Sequence, residues 1–239
     1  MRNLSIIIPI YKEKKNLENL IQRIDKSLKK IPYELIIIDD ESNDGTFHLL
    51  KKIKLKNKNL KFFIRKKKPR DLSRSCVMGF QKAKNDIIVV MDGDLQHRPE
   101  EIKKLYNKIK VNNYDFVVGN RGLLKKRNEG LKFYRLIVSL ILIFIVNVLL
   151  GFRTSDPMSG FFAFKKDIYL KNKKKLFNRG YKVLLDLIYS SNKKLSITDV
   201  FIRFKSRNEG HSKMNYKIIY FLSLIVIQKF ILRIIRIFK

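Results

Sequence analysis

Wholly apolar stretches alternate with amphipathic ones through the first 120 residues, and this regularity restricts the fold more than any other feature. Residues 4–8 read as a strand. Residues 16–29 place Leu17, Leu20, Ile21, Ile24 and Leu28 at the spacing of a helical stripe. A strand over 34–39, a helix over 46–56, a strand over 60–64, a helix over 73–83 and a strand over 87–91 follow. Pro99 opens a further helix to Lys110, as proline in a first helical turn does, and 116–118 is a fifth strand. Strands apolar throughout are covered on both faces, and helices between them return the chain to begin the next strand in the same direction. The pattern predicts an α/β fold with a mostly parallel, doubly wound sheet. In such sheets ligands bind beyond the carboxyl ends of the strands. PIYKE (9–13), DDESNDG (39–45), DGDLQH (92–97) and GNR (119–121) all fall there.

A length of 239 residues suits one substantial core, and neither an internal repeat nor a flexible linker divides it. The start MRNLSIIIPIYKE has too short an apolar run for a secretory leader. A lone Cys76 excludes an internal disulfide and fits a reducing compartment, with helix packing as its expected role.

The net charge of +32, from 53 Lys and Arg against 21 Asp and Glu, is extreme. Lys, Asn and Ile are abundant together, as an AT-rich genome would dictate, so charge by itself decides little. The tracts RKKKPR (65–70), LLKKRNEG (123–130) and KNKKK (171–175) each read as solvated surface. Aromatic residues are not interleaved with them as in a nucleic-acid module.

Against this basic background, IIVVMDGDLQHRPEEI (87–102) ends an apolar strand in two acids. Residues i and i+2 of an extended segment share a face, so Asp92 and Asp94 present their carboxylates together, and Gly93 leaves the backbone between them unobstructed. A carboxylate is costly to bury unless a cation meets it. Oxygen ligands at a strand end suit Mg²⁺ or Mn²⁺, which share their shell with substrate phosphates. His97 is expected to be structural.

The motifs SIIIPIYKEKKNLENLI, YELIIIDDESNDGT, RDLSRSCVMGF, IIVVMDGDLQHRPEEI, GNR, SDPMSGFF, GYKVLLDL and RNEGHSKM occur in an order that resembles family 2 glycosyltransferases. The likeness is to the dolichyl-phosphate mannosyltransferase and polyprenyl-phosphate sugar transferase branch, over residues 4–214. It implies a glycosyltransferase A fold and transfer of a hexose, mannose from GDP-mannose first, to a polyprenyl or dolichyl phosphate with inversion. The same reaction from UDP-glucose or UDP-N-acetylglucosamine is the alternative.

By the same resemblance Pro9, Tyr11, Glu13, Ile38 and Asp40 hold the nucleoside, with Asp92 and Gly93 in the donor site. Asp92, Asp94 and Gln96 bind the metal. Arg121, Arg207 and Lys213 surround the phosphates, Arg135 meets the acceptor phosphate, and Ser159 with its neighbours in DPMSG lines the sugar or acceptor side. Asp92, Asp94, Arg121 and Arg135 are the expected catalytic set. Arg98 stands where relatives often carry proline. Glu41 and Asp44 are expected to serve their turn.

The second half adds grease. Residues 136–152 are nearly all apolar, yet Arg135 before them and 156–160 after them belong to one site, which predicts an interfacial or re-entrant helix at about 132–152. In the last segment, 215–239, Lys229, Arg233 and Arg236 recur on one helical face opposite Ile, Leu and Phe. That predicts an amphipathic membrane-associated helix with its cations toward anionic headgroups. Residues 1–214 form the catalytic domain. The expected setting is peripheral, or monotopic, on the cytoplasmic side of a membrane, with a membrane-protein partner left open and no nucleic acid.

Two rivals come from other classes. A basic nucleic-acid-binding protein whose acids serve a nuclease predicts salt-sensitive duplex binding that survives loss of the apolar C-terminus. A non-catalytic scaffold predicts liposome binding without metal-dependent binding of a nucleotide sugar.

Overall fold

The computed structural model describes residues 3–122, 133–191, 194–204 and 216–237. Along the chain run β1 (Leu4–Ile10), α1 (Lys14–Ser27), β2 (Tyr33–Asp39), α2 (Thr46–Lys56), β3 (Leu60–Ile64), α3 (Leu72–Lys82) and β4 (Ile87–Val90). A 3-10 turn at Pro99–Glu101 leads into α4 (Ile102–Asn112), followed by β5 (Phe116–Asn120). The later elements are α5 (Phe133–Leu150), β6 (Phe162–Lys165), α6 (Lys166–Asn172), α7 (Val183–Ser190), β7 (Ile197–Phe201) and α8 (Tyr216–Ile237).

The strands form one sheet in the order β3-β2-β1-β4-β6-β5-β7. All pairs are parallel except those made by β6, which runs antiparallel between β4 and β5. Alternation along the strands divides the core in two. Ile7, Ile36, Ile38, Ile88 and Val90 face α3. Ile6, Ile8, Leu35, Ile37 and Val89 face α1 and α4. The mostly parallel sheet expected from the apolar runs is present, and each run is buried because helices cover both faces.

The antiparallel β6 was not anticipated. Its four residues, FAFK, are too few to display a period. It matters for the site, because an antiparallel strand begins where its parallel neighbours end. The loop before β6 is thereby delivered to the carboxyl rim of β4 and β5.

Two later helices pack on each other, and α8 also lies against α7. On α5, Ile143, Val146 and Leu150 are buried while Ile137, Ile141, Phe144 and Val148 stay exposed. On α8, Leu222, Ile225 and Val226 are buried and Ile219, Ile227, Ile231, Ile234 and Ile235 are exposed. One expectation needs correcting. Lys229 is turned inward and is only 1% exposed. Its ammonium pairs with Asp186 at 2.6 Å and donates to Ser190 Oγ at 2.8 Å and to the Lys175 carbonyl at 3.0 Å. Arg233 donates to the Leu149 carbonyl at 2.8 Å, where the C-terminus of α5 offers unpaired acceptors. The buried carboxylate of Asp186 demands a cation, so Lys229 serves the fold rather than lipid headgroups, while Arg233 stays exposed. The outward surface of α8 is mostly apolar, with Lys217 and Arg233 also exposed. The Arg236 side chain lies outside the described residues.

Candidate active site

Three strands end in turns that force a non-glycine residue into the left-handed region: Lys12 after β1 (φ 58°), Glu41 after β2 (φ 59°) and Leu95 after β4 (φ 62°). Such outliers persist where the surroundings over-determine them, and they cluster at functional sites. Here they turn the chain back around a cavity of about 240 Å³. Pro9, Tyr11 and Glu13 wall it from β1, Asp40 from β2, and Asp92, Gly93 and Asp94 from β4. Three of the four rim motifs thus meet in one cavity, and GNR (119–121) stands outside its lining.

On the floor, Asp94 is 4% exposed and accepts a hydrogen bond from the Gln96 amide at 3.1 Å. Asp92 is more open. His97 Nε2 stands 3.5 Å from Asp92 Oδ2. The His97 ring itself is buried between Phe161 and Phe204, with centroids 5.2 and 5.1 Å away. It packs as a structural residue and braces Asp92 from behind. A Cβ on Gly160 would fall 2.5 Å from Asp92 Oδ2. The loop before β6 is therefore pressed against this carboxylate, which any side chain at Gly160 would have to displace. Asp92 and Asp94 wall the same cavity and are hard oxygen donors of the kind that suits Mg²⁺ or Mn²⁺, whereas Gln96, two residues on, does not wall it.

Arg121, at the end of β5, is clamped by Asp156. Its Nε donates to Asp156 Oδ2 at 2.7 Å and its Nη2 to Oδ1 at 2.8 Å. Burial alone would lower the Arg121 pKa, but Asp156 and then Asp92 outweigh it and hold the value above the ordinary one. Asp156 is fully buried and was anticipated only as part of the DPMSG motif. Its partner could not be read from the sequence, because 35 residues separate the two.

The end of the cavity around Asp40 holds residues that the sequence did not single out. Asp40 accepts from the Asp71 amide at 2.7 Å and pairs with Arg65 at 2.6 Å. The Arg70 guanidinium lies over the Tyr11 ring, 4.4 Å from its centroid. Arg70, Asp71, Ser75, Tyr181 and Ile218 also wall the cavity. RKKKPR is accordingly not a uniform solvated tract. Arg65 is buried and Arg70 belongs to the site, while the lysines between them are exposed. Asp71 caps α3 by accepting from the Arg74 amide at 3.0 Å, and it accepts from the Gly180 amide at 2.7 Å. Burial raises its pKa, and these hydrogen bonds only partly offset that. The turn after β2 is capped not by Asp40 but by Asp39, which accepts from the Ser42 amide and hydroxyl. Asp44 serves the start of α2, accepting from Thr46, as its turn role required.

Other expected residues sit elsewhere. Ile38 is buried in the core within β2 and does not wall the cavity. The Ser159 hydroxyl donates to the Gly119 carbonyl at 2.7 Å and is held inside the loop. Arg135 lies in the first turn of α5, with its side chain outside the described residues. Arg207 and Lys213 also fall outside them. Cys76 is buried on the inner face of α3, and burial pushes its thiol pKa well up, so it is a packing residue.

This arrangement has known counterparts. Dolichol-phosphate mannosyltransferase of Pyrococcus furiosus is 36% identical over 91% of this chain and 60% of its own length. The proteins of the same name from Mycosarcoma maydis and Saccharomyces cerevisiae are 30% and 32% identical, each over 90% of this chain and over 75% and 82% of their own lengths. This chain thus spans three fifths of the Pyrococcus relative. Glucosyl-3-phosphoglycerate synthase from Mycobacterium tuberculosis, crystallised with Mn²⁺, UDP and glucosyl-3-phosphoglycerate, shares the fold. Its TM-score is 0.70 at 19% identity, over 97% of this chain and 80% of that one. The family model for glycosyl transferase family 2 matches residues 5–172, from β1 to the end of α6, and takes in the whole Asp92–Asp94 rim. With its fold, its rim of strand-end acids and these relatives in agreement, the chain belongs to glycosyl transferase family 2.

Proposed function

We propose that the protein transfers mannose from GDP-mannose to dolichyl or polyprenyl phosphate at a membrane surface, releasing GDP. The observation that carries this is the carboxylate pair Asp92 and Asp94, set between a nucleoside-sized cavity and the clamped Arg121. The lipid acceptor and the sugar are supported by the relatives' names and the extent of the match.

The chemistry asks little of a proton carrier. A phosphate monoester has its second ionisation near pH 6, so at neutral pH the acceptor is mostly a dianion and already a nucleophile. One of its oxygens forms a bond to the anomeric carbon as the bond from that carbon to the donor diphosphate breaks, and the electron pair leaves with the nucleotide. In-line displacement inverts the sugar, so an α-linked donor gives a β-linked lipid phosphate. What the protein supplies is positioning and charge compensation for two anions that repel each other. Asp92, Asp94 and Gln96 would hold Mg²⁺ or Mn²⁺, which supplies charge neutralisation at the donor diphosphate. Arg121, held rigid by Asp156, keeps N–H donors on its second edge for phosphate oxygens. Tyr11, stacked under Arg70, and Asp40, fixed by Arg65 and Asp71, shape the nucleoside end.

The apolar outer faces of α5 and α8 form the membrane side in this reading. The segment Lys217–Ile235 is long and apolar enough to cross a bilayer. Yet Lys229 and Arg233, one turn apart in its second half, tie it to Asp186 and to the end of α5, which favours a helix lying in the interface. A panel of GDP- and UDP-sugars offered with polyprenyl phosphate tests the donor. Transfer from GDP-mannose alone supports the proposal, and transfer only from a UDP-sugar overturns its sugar and nucleotide.

A further inference from the structure

Lys182 stands just before α7 and has no part in the account so far. Its side chain is half-buried. Among the described residues its ammonium makes one long hydrogen bond, 3.5 Å to the Met158 carbonyl, in the loop that carries Asp156 and Gly160. It lies within electrostatic reach of Arg121, Asp156 and Asp92.

Lys229 provides the internal comparison. That lysine, which holds α8 in place, has all three donors taken by Asp186, Ser190 and the Lys175 carbonyl, each within 3.0 Å. Lys182 is not used in this manner. An ammonium has three N–H donors, and among the described residues a single 3.5 Å contact leaves the others available to a ligand.

The charge balance points to an anion. Asp156 is engaged face to face by Arg121, and Asp92 belongs to the oxygen donor set suited to a divalent metal. Among the described residues Lys182 therefore stands as a second cation near Arg121 with no carboxylate in hydrogen-bond contact. Burial first, and then the Arg121 guanidinium, push its pKa down to about 8, which marks the strain of keeping two cations together. Its position selects among the anions of the proposed reaction. Tyr181 walls the nucleoside cavity but Lys182 does not. It sits instead against the loop Thr154–Gly160, through Met158, and that loop meets Asp92 at Gly160.

We propose that Lys182 is a substrate contact, donating to the phosphate monoester of the acceptor from the loop side of Asp92. It would pair with two oxygens that do not attack, orienting the third and lowering the repulsion between acceptor and donor diphosphate. This rests on the proposed transfer reaction.

The test uses the full chain in detergent, with Lys182→Met and Lys182→Arg. Calorimetric binding of geranylgeranyl phosphate and of GDP with Mn²⁺ is measured beside steady-state transfer. The methionine variant is expected to bind the lipid phosphate at least tenfold more weakly and to raise its KM alike. Its affinity for GDP with Mn²⁺ stays within threefold of wild type, its melting temperature is retained, and the arginine variant recovers most of the lipid affinity. Unchanged lipid-phosphate binding in the methionine variant overturns the inference, as does an equal loss of GDP binding, which would place Lys182 on the donor. A wild-type protein that transfers no sugar removes the proposed reaction instead, while the binding arm still decides whether Lys182 holds a phosphate monoester.

Discussion

Arg121 and Asp156 are joined by two parallel hydrogen bonds, 2.7 and 2.8 Å, with the Arg121 backbone amide 3.3 Å from the same carboxylate. The pair fixes the direction of the guanidinium rather than merely neutralising it, because the fork admits one planar arrangement.

Removing the fork should therefore damage catalysis more than folding. Asp156→Asn keeps one acceptor and the side-chain volume, and should lower kcat/KM by about a hundredfold, roughly 2.7 kcal/mol of transition-state stabilisation. Asp156→Ala should in addition destabilise the fold by about 3–5 kcal/mol, since it strands a buried cation. Steady-state kinetics beside urea denaturation separates the two effects. An asparagine variant with wild-type kcat/KM would contradict the positioning role.

Gly160 tests the packing against Asp92. A Cβ there would lie 2.5 Å from Asp92 Oδ2, so Gly160→Ala must push the carboxylate away. Activity should fall at least tenfold, with a shift in the metal concentration giving half-maximal rate. The carboxylate is partly open to solvent, so stability should change by less than about 1 kcal/mol. Metal titration of the rate measures this, and an unaltered metal dependence would refute it.

The two faces of α8 should behave oppositely. Lys229→Met leaves Asp186 buried and unpaired, and should cost about 3–5 kcal/mol of stability. Ile231→Asp changes an exposed apolar position, should leave stability within about 0.5 kcal/mol, and should weaken co-sedimentation with vesicles containing anionic lipid. Vesicle binding that survives Ile231→Asp together with Ile227→Asp would remove α8 from the membrane contact.

Away from the site, Glu34 ties four segments together. It accepts from Ser5 Oγ at 2.7 Å, from the Lys84 amide at 2.6 Å and from Lys61 Nζ at 2.6 Å. Burial raises its pKa, but the bonds from Lys61, Lys84 and Ser5 prevail and hold it below the ordinary value. A carboxyl group depressed in the folded state stabilises the protein above its unfolded pKa, and that contribution fades as pH falls through the lower folded value. Below about pH 4.5, wild type should therefore lose stability more steeply than Glu34→Gln, which should already be about 2 kcal/mol less stable at pH 7. Parallel stability curves for the two proteins between pH 3 and 5 would show that Glu34 plays no such part.

Much of this was legible in the sequence because it rests on local pattern. The apolar runs of β1, β2 and β4 and the stripe of α1 predict a covered parallel sheet, and the rim follows from the ends of those strands. Asp92, Asp94, Tyr11 and Asp40 meet in one cavity for that reason. The rest depends on partners remote in sequence. Arg121 with Asp156, Arg65 with Asp40 and Lys229 with Asp186 are separated by tens of residues, and no periodicity pairs them. Lys229 is the plainest case. Its spacing from Arg233 suggested one basic face, but Lys229 turns inward to the buried Asp186 while Arg233 stays exposed.

The most direct measurement is transfer of radiolabelled mannose from GDP-mannose to polyprenyl phosphate in detergent, with and without Mn²⁺, for wild type and Asp94→Ala. The account predicts a labelled lipid whose formation needs the metal and drops by at least a hundredfold in the variant, while both proteins keep similar melting temperatures without metal. Equal transfer by the two proteins, or none by wild type with GDP-mannose, lipid phosphate and metal all present, would contradict it.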